Sequence, residues 1–232
     1  AADLNGDGTD DLVAGNLGLN SRLRATPEEP TRLYLNDFDE NGEPDPILTV
    51  YRNGTSHPFA GRDELVRQIP SLKEKFPTYE SFGGRQIDDL FPSSKIEAAT
   101  VKEAHTFAST FLMTQDNGAF AVESLPSRAQ FAPVYGLLAR NLVGSSAQDL
   151  LLGGNFHGVK PRQGRYDASY GALLRGRDST WASVPSSQSG LHLTGEVRAL
   201  RLVQRGDEAP VVLVARNNAR PQVVRLPRTT AP

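Results

Sequence analysis

Asp3-Leu-Asn-Gly-Asp-Gly-Thr-Asp-Asp11, followed at once by Leu12-Val-Ala-Gly-Asn16, sets a nine-residue acidic turn directly ahead of a short apolar run. The same order returns in Asp37-Phe-Asp-Glu-Asn-Gly-Glu-Pro-Asp45, which leads into Pro46-Ile-Leu-Thr-Val50. Both nonapeptides carry Asp at positions one and nine, Asp or Asn at three and five, and Gly at six. On a tight turn the side-chain oxygens of one, three and five face inward. The glycine lets the backbone reverse, position seven offers its carbonyl, and the last Asp closes the shell. An all-oxygen donor set with several carboxylates suits a hard cation of flexible coordination, Ca²⁺ before Mg²⁺ and far before Zn²⁺. The expected ligands are Asp3, Asn5, Asp7, Thr9 and Asp11 in one loop and Asp37, Asp39, Asn41, Glu43 and Asp45 in the other, for at most two ions.

A helical EF-hand loop begins in the same way but needs a bidentate Glu at its twelfth position. Counted from Asp3 and Asp37, that position holds Ala14 and Leu48. The residues after each loop favour strands and turns over helix, so the loops are expected to join strands.

Outward from the loops, Gly (21) and Pro (16) punctuate short runs rich in Val, Leu, Tyr and Phe, the pattern of many short strands joined by turns. Strands are expected at 31–35, 46–52, 106–113, 119–124, 134–140, 150–153, 171–175, 180–184, 197–203, 211–216 and 222–226, with Asn117-Gly118 as a hairpin turn. One region breaks the pattern. Leu65, Ile69, Leu72 and Phe76 recur at helical spacing, with Asp63 as N-cap and Pro70 splitting the run. Further short helices are expected at 86–91 and 95–102. Residues 53–104 therefore read as a helical insertion within a blade of an otherwise all-β chain.

The strand runs also repeat. Asp149-Leu-Leu-Leu-Gly-Gly-Asn155 matches Asp11-Leu-Val-Ala-Gly-Asn16, with weaker copies at Pro210-Val-Val-Leu-Val-Ala-Arg-Asn217 and 45–50. Strands at 134–140, 150–153, 171–175 and 180–184 make one four-stranded unit of roughly sixty residues, the size of a propeller blade with long loops. The fold class expected is all-β, with about two complete and two partial four-stranded β-propeller blades in one fragment spanning 1–232. The chain opens inside a loop, so strands N-terminal to Ala1 are expected. The copy of the acidic loop at 141–149 has Val143 where a ligand belongs and is expected to keep the turn and lose the metal.

Composition narrows the function classes. The 232 residues are 38% hydrophobic and 22% charged, ordinary globular values, and 25 basic residues against 27 acidic ones leave a net charge of −2 with no basic block for a phosphate backbone. Nucleic acid is therefore not an expected partner. No run reaches the ~18 apolar residues of a membrane span, and Ala1–Asp11 has no signal-peptide pattern. With no Cys, disulfides, zinc-thiolate sites and thiol catalysis are excluded.

With its acidic loops, its strand repeat and the segments Gly15-Asn-Leu-Gly-Leu-Asn20, Arg62-Asp-Glu-Leu-Val-Arg-Gln68, Ala129-Gln-Phe-Ala-Pro-Val-Tyr135 and Gly164-Arg-Tyr-Asp-Ala-Ser-Tyr-Gly171, the chain resembles the FG-GAP/VCBS repeat family. It looks closest to the large bacterial VCBS-repeat proteins that occur beside ASPIC/UnbV domains. The resemblance implies an integrin-α-like β-propeller, calcium between the first two strands of a blade, and an extracellular or bacterial outer-surface location. It supplies no substrate.

Other residues carry less. His57, His105, His157 and His192 lack metal-ligand spacing, and no nucleophile elbow, P-loop or dinucleotide fingerprint is present. Arg205-Gly-Asp207 spells an integrin-recognition tripeptide, read here as a turn. The loop 155–170 concentrates His157, Arg162, Arg165, Tyr166, Asp167 and Tyr170, the candidate ligand-binding residues, against the plainer reading that they anchor the loop. No catalytic residue is assigned. The leading expectation is a calcium-stabilised surface module that binds a protein or glycan. The rivals are a glycan-active hydrolase or lyase, built by the insertion and the 155–170 loop, and a structural spacer.

Overall fold

In chain order the strands and helices of the computed structural model are β1 (Leu12–Ala14), β2 (Thr31–Asn36), β3 (Asp45–Arg52), β4 (Thr55–Pro58), α1 (Arg62–Gln68), α2 (Leu72–Lys75), α3 (Tyr79–Phe82), α4 (Ile87–Leu90), α5 (Ser93–Glu97) and β5 (Thr100–Ala104). They continue with β6 (Thr110–Thr114), β7 (Phe120–Ser124), β8 (Val134–Arg140), β9 (Asp149–Gly154), β10 (Ala172–Arg177), β11 (Thr180–Val184), α6 (Ser186–Ser189), β12 (Glu196–Arg205), β13 (Glu208–Asn217) and β14 (Gln222–Val224). The structure describes residues 1–142, 148–177, 180–206 and 208–225. Among the described residues all strand pairs are antiparallel and form four sheets, two of four strands and two of three. The chain is thus mainly β, as its Gly/Pro punctuation predicts. Among the described residues no helix is long and apolar enough to cross a membrane.

Two compact units divide the chain, Ala1–Arg22 with Ala108–Pro232, and Leu23–Phe107. In the first unit, sheets of order β1-β6-β7, β11-β10-β9-β8 and β12-β13-β14 follow one another. The middle one is the simple meander that the repeat at 134–184 predicts. All six residues of β9 are buried, because the sheet is covered on both faces. Leu150, Leu152 and Leu174 pack with Phe111 and Val13 of the β1 sheet, and Phe111 lies 4.9 Å from the Trp181 ring. Leu151 and Leu173 pack with Leu200, Val212 and Val214 of the β12 sheet. The alternation of β9, Leu150 and Leu152 one way and Leu151 the other, is the strand period of two expressed as two cores.

The second unit holds a sheet of order β4-β3-β2-β5 and all of α1 to α5. The apolar face expected for 63–76 is its core. Leu65, Ile69, Leu72 and Phe76 are buried together with Phe38, Ile47, Ile87 and Leu90, and the helix breaks into α1 and α2 around Pro70, which cannot donate to the ladder.

Three local expectations change. The N-cap of α1 is Gly61, while Asp63 sits one residue inside the helix and accepts a 2.6 Å bond from the Tyr79 hydroxyl. The helix expected at 95–102 ends at Glu97, and Thr100–Ala104 extends as β5 along β2, where β-branched Thr100 and Val101 prefer the strand. The strand expected from Thr106 begins at Thr110. The end of the run expected at 222–226 lies outside the described residues.

Candidate metal centre

The second acidic nonapeptide joins two antiparallel strands, and the first closes between an isolated antiparallel bridge and a strand. Asp3–Asp11 runs from the Ala2 bridge, which pairs with Asp11, into β1, and Asp37–Asp45 runs from β2 into β3. The two turns share one backbone path. Positions four and six are left-handed in both, Gly6 and Gly8 at φ 84° and 87°, Glu40 and Gly42 at 63° and 91°. Position one clamps the turn: Asp3 accepts from the amides of Gly6 (2.7 Å) and Gly8 (3.0 Å), and Asp37 from those of Asn41 (3.0 Å) and Gly42 (2.8 Å). Position five accepts from the amide of position seven at 2.7 Å in both, Asp7 from Thr9 and Asn41 from Glu43. These amides hold the Asp7 carboxyl below its usual range, with the Asn5 side chain adding to the effect. They do the same for Asp37, where Lys95 also contributes.

Position nine is the buried anchor. Asp11 is 0% exposed and Asp45 5%. One carboxylate oxygen of each accepts from the amide of position two, Leu4 at 3.1 Å and Phe38 at 3.1 Å. Asp149 repeats this bond with the amide of Leu142 at 2.9 Å, so the third copy retains the anchor in its described part. Its centre, 143–147, including the position of Val143, lies outside the described residues.

The second oxygen distinguishes the loops. Asp11 Oδ1 accepts from the backbone amide of Thr114 at 2.8 Å. Asp45 Oδ1 accepts instead from the side-chain amide of Gln68, 3.1 Å away at the end of α1. Lys95 of α5 reaches the same turn, donating to the Asp37 carbonyl at 2.8 Å and pairing with Glu40 at 3.0 Å. Neither Gln68 nor Lys95 is legible in the nonapeptide, because both arrive from the helical segment.

The loops differ in how closely their acids gather. Carboxylate oxygens of Asp37, Asp39 and Asp45 lie within 4.8 Å of one another, the one acidic trio this tight among the described residues. Glu43 stands outside that trio. In the first loop, position three is Asn5, whose side-chain amide donates to Asp7 at 2.9 Å.

The 155–170 residues do not form a comparable centre. Phe156 and Tyr166 bridge backbone to backbone at 2.8 and 2.9 Å, Tyr170 stacks on His192 at 4.6 Å, Arg162 lies in the short 3₁₀ turn Pro161–Gln163, and Arg165 and Asp167 are exposed. His157 takes part through its backbone amide, which donates to Glu196 at 2.9 Å. What organises this loop is a pair of residues that sequence reasoning passed over. Asn155, at φ 78°, bonds Ser169 in both directions and the Gly195 carbonyl. Buried Glu196 gathers the His157 amide, Arg198 (2.8 Å) and Asn217 (2.9 Å). The signal for Asn155 in the sequence is the repeat itself, since Asn16, Asn155 and Asn217 all close the apolar run, whereas Glu196 lies outside every copy. The Asp of Arg205-Gly-Asp207 lies outside the described residues.

Compared with protein-family models, curated proteins and solved structures, the chain matches none of them.

Proposed function

We propose that the chain is a calcium-stabilised β-propeller module of the FG-GAP/VCBS type, extracellular or on a bacterial surface, that binds a protein or glycan partner. The observation that carries the calcium reading is the second loop, where Asp37, Asp39 and Asp45 converge to within 4.8 Å on a turn whose path the first loop repeats. Three converging carboxylates repel one another, and a divalent cation between them reverses the sign. Oxygen donors alone fit Ca²⁺, which takes six to eight of them in flexible geometry. The remaining donors are Asn41 and the position-seven carbonyl in this loop, with Asp3, Asn5, Asp7, Thr9 and Asp11 as the second set. The metal's work is structural: it ties one strand end to the next.

The propeller reading rests on the three stacked sheets of the first unit. Their leading edges, at Ala1–Ala2, β8 and β12, line one cleft of about 490 Å³ with Ala2, Leu138, Arg140 and Arg201 in its wall. Successive sheets that face each other and share one inner side are the relation between propeller blades.

Calorimetric titration with CaCl₂ and thermal melts in calcium and in EDTA test the metal. Calcium at 100 times its Kd should stabilise each loop-bearing unit by about 2.7 kcal/mol, and Asp39→Asn should remove the second loop's share of the heat of binding while leaving that of the first. Titrations without heat together with identical melts in both buffers overturn the calcium reading. The partner reading is tested by glycan-array and protein-binding screens of the calcium-loaded chain.

A further inference from the structure

The sequence contains four Asn-Gly pairs, Asn5-Gly6, Asn41-Gly42, Asn53-Gly54 and Asn117-Gly118. This dipeptide carries a chemistry of its own. The glycine amide nitrogen, once it has given up its proton, attacks the asparagine side-chain carbonyl, because glycine has no Cβ to block the approach. A cyclic imide forms as the bond to the side-chain nitrogen breaks, and ammonia leaves with a proton to replace the one the amide lost. Water then opens the ring at either carbonyl, to give aspartate or its backbone-extended isomer, isoaspartate.

Three of the pairs are held out of this reaction by their turns. The Gly6 amide donates to Asp3 at 2.7 Å, the Gly42 amide to Asp37 at 2.8 Å and the Gly118 amide to the Gln115 carbonyl at 2.8 Å. Their asparagine side-chain oxygens are engaged as well, Asn5 by the Asp7 amide at 3.0 Å, Asn41 by the Glu43 amide at 2.7 Å and Asn117 by the Ala119 amide at 2.9 Å. An amide bonded to an acceptor is harder to deprotonate, and a side chain held in its own turn does not swing onto its neighbour. The hairpin tip between β3 and β4 lacks both restraints. Asn53 and Gly54 are exposed, and among the described residues the Gly54 amide meets no acceptor and the Asn53 side chain no partner. Open space beside Gly54 leaves the turn room to distort. We propose that Asn53 is a site of spontaneous deamidation, and that Asn5, Asn41 and Asn117 are protected by the hydrogen bonds of their turns. The product places a carboxylate at the tip and, as isoaspartate, an extra carbon in the main chain of a two-residue turn. The restraints belong to the chain itself, so the proposal stands whether or not the loops take calcium.

The test compares the four sites within one molecule. The intact chain is incubated in EDTA at mildly alkaline pH, folded in one series and unfolded in urea in the other, with circular dichroism to check each state. Samples are digested with pepsin in acid, where the amide no longer ionises, and peptide mass spectrometry follows the exchange of NH for O at each asparagine. Fragmentation of the Asn53 peptide separates aspartate from isoaspartate. In the folded chain Asn53 should react on the order of tenfold faster than any of the other three, the factor expected from the one or two hydrogen bonds that each of them must first break. Urea should bring the four rates together, chiefly by accelerating Asn5, Asn41 and Asn117. A folded chain in which Asn53 reacts no faster than the others, or rates that keep the same ratios in urea, would overturn the proposal.

Discussion

At position nine of each acidic loop a carboxylate is buried, and burial of a charge is tolerated only where hydrogen bonds replace water. Asp11 meets this with two backbone amides, whereas Asp45 depends on Gln68 for its second bond. Gln68→Ala removes that donor without touching a proposed ligand. It should destabilise the Leu23–Phe107 unit by about 1 kcal/mol and, because outer-shell partners orient ligands, weaken calcium binding at the second loop roughly tenfold. Titration calorimetry of the variant reads both the affinity and the number of sites, and an unchanged second-loop affinity would show that Asp45 needs no external orienter. Glu196 makes a second residue-scale case. It is 6% exposed, and the His157 amide first, then Asn217 and Arg198, hold its carboxyl below the usual range. A carboxyl with a depressed folded-state value contributes stability above its unfolded value of about 4.3 and loses it as pH falls through the folded value. Acid melts below about pH 4.3 should therefore separate the wild type from Glu196→Gln less and less as protonation proceeds. At neutral pH the variant should be less stable by on the order of 2 kcal/mol, since it leaves Arg198 with a neutral partner.

Among the elements, β9 decides the first unit, and its last two glycines are fixed by what lies against them. A Cβ at Gly154 would run into the Pro133 carbonyl, and one at Gly153 would come within 2.8 Å of Val197 Cγ1. The first obstacle is backbone, which cannot turn aside, and the second is the near side of the neighbouring sheet. Gly154→Ala should cost about 3 kcal/mol and Gly153→Ala less, a ranking that urea denaturation of the two variants checks. The strands that sequence reading located are those where burial imposes a pattern. Val134–Arg140, Thr180–Val184 and the apolar run of β9 were legible because β-branched and large apolar side chains alternate or cluster there. The ones it missed are polar and short. β4 reads Thr-Ser-His-Pro, and its only signal is the Asn53-Gly54 turn before it, left-handed at both residues with φ 51° and 76°. β5 reads Thr-Val-Lys-Glu-Ala and joins the sheet through backbone pairing with β2, which leaves no side-chain period to detect. Likewise, the nonapeptides were legible because their chemistry is local, whereas Gln68 and Lys95 become neighbours of the second loop only through the packing of α1 and α5.

For the whole molecule, the distribution of the two loops matters more than their number. The first loop belongs to the unit of stacked sheets and the second to the unit that carries the helices, and each unit has its own core of buried apolar residues. Units with separate cores need not unfold together, and a ligand stabilises only the unit whose native state binds it. Calcium is thus expected to act on two transitions through two separate sites. Asp7→Asn and Asp39→Asn each remove one carboxylate charge from one loop while keeping an oxygen that can accept the turn's amide bond. In differential scanning calorimetry with calcium, Asp39→Asn should lower the transition of the Leu23–Phe107 unit alone, Asp7→Asn that of the stacked sheets alone, and EDTA should abolish both differences. Limited proteolysis during the melt assigns the transitions, because the unit that has unfolded is the one cut. If either single substitution lowered both transitions equally, the two cores would be one cooperative system, and calcium at one loop would be felt at the other.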